Sequence, residues 1–113
     1  RTSRGLGDVY KRQILLNMGQ YFESEEIIRD QLLRKNDSPD LWFMLSETQK
    51  TSQNIVGYHQ SRAEYFLLLG QDEKALNQLE FALQLTQNNF QVSDRIMTKI
   101  IEIKKSLQNS RGL

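Results

Sequence analysis

The stretch that decides the fold is Gly70-Gln71-Asp72-Glu73-Lys74-Ala75-Leu76-Asn77-Gln78-Leu79-Glu80-Phe81-Ala82-Leu83-Gln84-Leu85. Its glycine predicts a tight turn, because glycine adopts backbone conformations that other residues avoid. Asp72 then opens a helix, since an acidic side chain near a helix start satisfies free N–H groups and complements the helix dipole. Ala75 and Ala82 are small enough to let a neighbouring backbone approach closely. The stretch therefore predicts a turn followed by a helix that packs on another helix.

Residues typical of turns recur along the chain at an almost constant interval. They fall at Gly19, Asn36, Gln53-Asn54, Gly70 and Asn88-Asn89, and the successive intervals are 17, 17, 17 and 18 residues. A repeat of about 34 residues that contains two helices requires a turn at each half repeat. The spacing predicts an array of helical hairpins.

Between these turns the apolar residues recur every three or four positions, which is typical of amphipathic helices. Ser38 is a suitable N-cap, and the only proline, Pro39, follows it in the first helical turn, where its missing N–H costs nothing. We predict helices at about residues 14–18, 21–35, 39–51, 55–69, 72–86 and 90–107. The predicted fold class is all-α, with about five to six antiparallel helices arranged as hairpins of an α-solenoid.

The stretch that begins at Gly70 resembles the core of the tetratricopeptide repeat. In that repeat a glycine closes the first helix and two alanines, seven residues apart, lie where helices touch; Gly70, Ala75 and Ala82 match. Trp42 and Leu45 match the start of a repeat. The resemblance implies a superhelical protein-binding scaffold.

A second copy of the motif begins at Gly19 and is weaker. Ser24 stands for the first alanine, but Gln31 stands for the second. Gly19 and Gly70 are 51 residues apart, which is one and a half repeats, so one helix is extra. Either the helix at 55–69 packs in a non-consensus way or the array changes phase there, and the sequence leaves both possibilities open.

The first thirteen residues look foreign to the rest of the chain. From Ser3 to Gln13 the sequence resembles a translated adapter of a transposon-based sequencing library, and it shows no apolar periodicity before Ile14. We therefore divide the chain into a non-native tail at 1–13, a tetratricopeptide-like domain at 14–107 and a disordered C-terminus at 108–113. Ser110-Arg111-Gly112-Leu113 repeats Ser3-Arg4-Gly5-Leu6, by chance or as a second adapter trace.

The amino-acid composition argues against several classes of function. The chain has 15 Lys and Arg against 14 Asp and Glu, but residues 1–13 contain four of the basic residues and one acidic residue, which leaves 11 against 13. Without a basic excess we expect no nucleic-acid partner. There is no cysteine for a disulfide or a thiolate metal site, and no apolar run of about 18 residues for a membrane span.

Four stretches together resemble a narrower family, the C-terminal tetratricopeptide region of bacterial periplasmic zinc metallopeptidases of the β-barrel assembly-enhancing protease type. They are Leu41-Trp42-Phe43-Met44-Leu45-Ser46-Glu47-Thr48, Gly57-Tyr58-His59-Gln60-Ser61-Arg62-Ala63-Glu64-Tyr65-Phe66, Ala75-Leu76-Asn77-Gln78-Leu79 and Asn88-Asn89-Phe90-Gln91. The resemblance implies a periplasmic location and a docking role beside an upstream peptidase domain, whose His-Glu-x-x-His helix holds zinc. It also implies partners among outer-membrane assembly proteins or their substrates.

The chain itself offers no catalytic or metal-binding residues. His59 is the only histidine, and its neighbours one helical turn away, Ile55, Val56, Arg62 and Ala63, include no second ligand, whereas zinc needs three or four. No paired carboxylates, nucleophile with a base or glycine-rich phosphate loop can be assembled. We expect a non-enzymatic module without a cofactor of its own.

The helix at 55–69 is the best candidate for a partner surface, because it mixes aromatic and polar side chains where its neighbours are aliphatic. We predict partner contacts at Asn54, Tyr58, His59, Arg62 and Tyr65. An internal ion-pair network that includes Arg62 and Glu64 is at least as good an interpretation. Two functions remain: the docking domain of a zinc metallopeptidase, or a free-standing adaptor that binds a peptide or helix of a partner.

Overall fold

A computed structural model describes the backbone of residues 2–111 and the side chains of Lys11, Gln13 and residues 15–109. This part of the chain contains five helices and no strand, which confirms the all-α fold class. The helices are α1 (Thr2–Arg34), α2 (Pro39–Thr51), α3 (Ile55–Leu68), α4 (Asp72–Gln84) and α5 (Phe90–Arg111).

Helix α1 is one continuous helix where the sequence predicted two. It runs through Gly19, so the predicted turn there and the separate helices at 14–18 and 21–35 are wrong. A glycine inside a helix costs only about 1 kcal/mol relative to alanine, which is too little to end a helix that packs along one side. The backbone of residues 2–13, which the sequence set apart as a tail, forms the first turns of the same helix.

The inward side of α1 follows the helical period. Asn17, Tyr21 and Glu25 are half-buried, and Ile28 and Leu32 are each only 6% exposed. These five residues recur every three or four positions and therefore form one stripe. The stripe lies against α2, whose Leu41, Trp42 and Leu45 complete a first core cluster with Ile28 and Leu32.

Side-chain caps fix where α2 and α3 begin. Ser38 Oγ accepts a hydrogen bond from the N–H of Leu41 at 3.4 Å, and Pro39 is the first residue of α2, as predicted. Asn54 Oδ1 accepts the N–H of Gly57 at 3.1 Å at the start of α3. These caps satisfy N–H groups that have no partner within the helix.

The turn between α3 and α4 has the geometry that its glycine predicts. Gly70 has φ of 75°, and the next N–H, that of Gln71, reaches back to the carbonyl of Phe66 at 2.9 Å. Ala75 and Ala82 of α4 are both fully buried, at 0% exposure. They belong to a second core cluster that joins α3, α4 and α5: Ala63, Ala75, Leu79, Ala82, Ile96, Ile100 and Ile103.

Two further expectations are corrected by the helices. Helix α5 continues to Arg111, so positions 108–111 are helical rather than disordered; residues 112 and 113 lie outside the described part. Helix α3 packs against both α2 and α4 and is not an extra element. With Gly19 inside a helix, the turns at Asn36 and Gly70 are 34 residues apart with two helices between them, and the conflict between Gly19 and Gly70 disappears.

Candidate functional site

Helix α3 presents two neighbouring faces to the helices on either side. Tyr58, Arg62 and Tyr65 recur at helical spacing and contact α2, whereas His59 contacts α4. All four side chains are half-buried. With their partners they form what we call the aromatic surface: Phe43, Glu47 and Lys50 of α2, Tyr58, His59, Arg62 and Tyr65 of α3, and Gln78 and Phe81 of α4.

Arg62 lies at the centre of the aromatic surface. Its guanidinium carbon is 4.7 Å from the ring centre of Phe43 and 5.4 Å from that of Tyr58, and Nη2 is 3.5 Å from Oε1 of Glu47. Ring faces attract a cation, and the planar guanidinium stacks on them better than an ammonium group does. Glu64 forms an ion pair as well, with Nζ of Lys99 at 3.4 Å, so Arg62 and Glu64 both take part in ion pairs between helices but not with each other.

The side chain of Arg62 is held tightly for a charged group. It is 19% exposed, and its Nε is buried with no hydrogen-bond partner among the described residues. Rings and one carboxylate, rather than a full set of hydrogen bonds, therefore hold the guanidinium. A side chain positioned in this way loses little conformational freedom when a partner binds beside it.

His59 extends the aromatic surface toward α4. Its Nδ1 forms a hydrogen bond with Oε1 of Gln78 at 2.7 Å. The ring centre is 5.0 Å from that of Tyr58 and 5.5 Å from that of Phe81. These contacts give His59 a positioning role between two helices. Among the described residues no group of three or more His, Cys, Asp or Glu side chains could hold a metal ion.

Two phenylalanines supply the exposed aromatic rings of the aromatic surface. Phe43 is 36% exposed, with its ring centre 5.5 Å from that of Tyr65, and Phe81 is 51% exposed. Phe43 faces outward, whereas the preceding residue, Trp42, packs against the first core cluster. Phe81 was missed, although its position next to the buried Ala82 turns it about 100° away from the core.

Asn54 does not join the other predicted residues. Its side chain caps α3 and lines a cavity on the opposite side, with Val56 and Asn89. Two adjoining cavities, of about 390 Å³ and 340 Å³, share Arg29, Gly57 and Gln60. We call the combined space the polar groove; α3 forms its floor, and the rest of the lining comes from Arg29 of α1, from α2, α4 and α5, and from the loop between α4 and α5.

A buried hydrogen-bond network lies under the polar groove and joins three helices. Gln49 of α2 is 1% exposed; its Oε1 accepts from Ser61 Oγ at 2.6 Å, and its Nε2 donates to Glu25 Oε1 at 3.1 Å. Arg29 donates to the same carboxylate oxygen at 2.9 Å. The network fixes the distance between α1 and α3.

Comparisons with protein-family profiles, with curated proteins and with solved structures find no match to this chain. No helix in the described part of the chain is both long and apolar enough to cross a membrane.

Proposed function

We propose that this chain is a protein docking module that binds its partner through the aromatic surface. The observation that carries this proposal is a pair of exposed phenylalanines on ordered supports: Phe43 lies against the fixed side chain of Arg62, and Phe81 lies against His59. Aromatic residues and arginine dominate the binding energy of protein interfaces, above all where they are already ordered. The partner that this surface fits is a helix or an extended segment with apolar side chains for the two phenylalanines.

The scaffold in this proposal is a tetratricopeptide-type array. Its support is the turn spacing of 34 residues between Asn36 and Gly70, the positive φ of Gly70, and the complete burial of Ala75 and Ala82. Each of these features lets consecutive helices pack closely along the array. Such arrays act chiefly through the surfaces that they present.

In its intact parent, we propose that the module is the accessory domain of a periplasmic zinc metallopeptidase that acts in outer-membrane protein assembly or quality control. The support is the sequence resemblance of residues 14–107. The zinc would be held by the upstream peptidase domain, and the partners would be that domain, the assembly proteins or their substrates. The alternative is a free-standing adaptor that binds a peptide or helix of a partner.

The native coding sequence upstream of Ile14 separates the two proposals. A signal peptide followed by a domain with a His-Glu-x-x-His helix is the result expected for the metallopeptidase. Further helical repeats without that motif would refute the metallopeptidase and leave the adaptor.

The docking surface is tested by crosslinking in the cells from which the gene came. A photoreactive phenylalanine analogue replaces Phe81 in the intact protein, and the same analogue at Phe90, which is 83% exposed on α5, is the matched control. We expect a discrete crosslinked protein at position 81 but not at position 90. Arg62→Ala is expected to weaken this crosslink, because it removes the group that orders the surface. Equal crosslinking at both positions, or none at position 81, contradicts the proposal.

A further inference from the structure

The polar groove lies apart from the aromatic surface and has a chemistry of its own. Its floor is the side of α3 that carries Val56, Gly57 and Gln60, whereas Tyr58 and Arg62 contact α2 on another side of the same helix. Gln60 is half-buried and makes no hydrogen bond to any described residue. The groove is therefore a second surface whose polar groups are open to a ligand.

Hydrogen-bond donors predominate among these open groups because of the helix caps. Oδ1 of Asn54 accepts the N–H of Gly57, and Oδ1 of Asn89 accepts the N–H of Val92 at 3.2 Å. Each cap uses the oxygen of the amide, so its NH₂ group remains. Neither NH₂ group has an acceptor among the described residues, and both asparagines line the groove. The two caps thus leave four N–H bonds for an acceptor-rich ligand.

The charges of the polar groove also favour an acceptor-rich ligand. Arg29 is paired with Glu25 at 2.9 Å and Lys99 with Glu64 at 3.4 Å. Arg95 lines the same groove from α5 and has no carboxylate within 4.0 Å among the described residues. One guanidinium is therefore uncompensated, and its planar set of donors matches a carboxylate.

We propose that the polar groove binds an extended acidic peptide segment. A carboxylate of the segment pairs with Arg95, and backbone carbonyl oxygens accept hydrogen bonds from the amide groups of Asn54 and Asn89. An extended backbone offers a carbonyl at each residue, which fits a line of donors better than a helix does, because a helix uses its carbonyls internally. This inference does not depend on what binds the aromatic surface.

The test uses the full 113-residue chain and a fluorescein-labelled peptide in which glutamate alternates with serine. The matched probe has glutamine in place of glutamate, and binding is followed by fluorescence anisotropy. We expect the glutamate peptide to bind at least tenfold more tightly and to weaken as salt is raised, because exposed charge pairs are screened. Equal binding of the two peptides would overturn the proposal.

Two variants locate the binding within the groove. Arg95→Gln is expected to weaken binding of the glutamate peptide at least fivefold. The control is Lys105→Gln, an equal charge change at an exposed position of the same helix, which should weaken binding less than twofold. Asn54→Asp keeps an oxygen for the cap but removes the NH₂ donors and adds a negative charge, so it too should weaken binding. Thermal unfolding followed by circular dichroism checks that α3 remains formed.

Further outcomes distinguish peptide binding at the polar groove from peptide binding at the aromatic surface. Phe81→Ala is expected to leave peptide binding unchanged, because Phe81 does not line the groove. If Phe81→Ala abolishes binding while Arg95→Gln does not, the peptide occupies the aromatic surface and the groove proposal is wrong. Equal losses for Arg95→Gln and Lys105→Gln would show nonspecific charge attraction and also overturn it.

Discussion

At the scale of single residues, Gln49 shows how a polar side chain holds this fold together. It is almost fully buried, yet both ends of its amide are satisfied, by Ser61 on α3 and Glu25 on α1. A buried polar group contributes to stability only while its partners remain, since an unsatisfied partner retains its desolvation cost. Gln49 therefore specifies the packing of three helices rather than simply filling space.

Replacing Gln49 tests this role. Gln49→Met keeps most of the volume but leaves the hydroxyl of Ser61, which is 3% exposed, without its acceptor. We expect the free energy of unfolding, measured by urea denaturation, to fall by about 1–3 kcal/mol. The double variant Gln49→Met with Ser61→Ala should recover part of that loss, because it removes the orphaned hydroxyl as well. A double variant that is destabilised by the sum of the two single changes would contradict this account.

Some residues of the aromatic surface could be predicted from the sequence, and others could not. Tyr58, His59, Arg62 and Tyr65 could be selected from their chemistry and spacing on one helix, and the structure brings them together. Phe81 could not be added, because its contact with His59 depends on how α4 packs on α3. The start of α3 after Asn54 was predicted, but the capping role of the Asn54 side chain was not, because capping and partner binding use the same residue type.

At the scale of helices, most helix ends follow from local chemistry. The exception is Gly19, where the predicted helix end does not form. Ser38 with Pro39, Asn54 and Asn89 mark helix starts that the sequence predicts and the structure contains. Gly19 and Gly70 look alike in sequence, but only Gly70 has a positive φ. The difference lies in what surrounds them, since α1 continues to pack on α2 beyond Gly19 and tertiary contacts override the weak propensity of glycine.

The two glycines should respond in opposite ways to the same substitution. Gly19→Ala meets no atom within 4 Å and adds helix propensity, so we expect about 0.5–1 kcal/mol of stabilisation. Gly70→Ala forces a Cβ into a backbone with φ of 75°, which costs about 1–2 kcal/mol. Thermal denaturation of both variants shows whether each substitution stabilises or destabilises the protein. A destabilising Gly19→Ala would indicate that the chain turns at Gly19 after all.

At the scale of the whole molecule, the helices pack mainly on their neighbours along the chain. The described side chains form two buried clusters: one joins α1 to α2, and the other joins α3, α4 and α5. The hairpin order was predictable from the turn spacing, because each turn returns the chain along the preceding helix. The register was not predictable, because it depended on which glycine lies inside a helix.

Two clusters imply that stability is not uniform along the chain. Ile96 is 1% exposed in the cluster of α3, α4 and α5, so Ile96→Ala should reduce local stability there by about 2–4 kcal/mol. In arrays of this kind a loss at one interface reaches distant elements only through the helices between them. Amide hydrogen exchange should therefore accelerate strongly in α4 and α5 and much less over residues 26–34 of α1.

The neighbouring residue provides the control for that experiment. Met97 is 43% exposed on the same helix, so Met97→Ala changes a side chain outside the buried cluster and should leave exchange in α4 nearly unchanged. Equal acceleration in α1 and α5 by Ile96→Ala would show that the five helices unfold as one cooperative unit. Acceleration confined to α4 and α5 would instead show that the α1–α2 end keeps its fold when the opposite end opens, which is the behaviour expected of helices stabilised pair by pair.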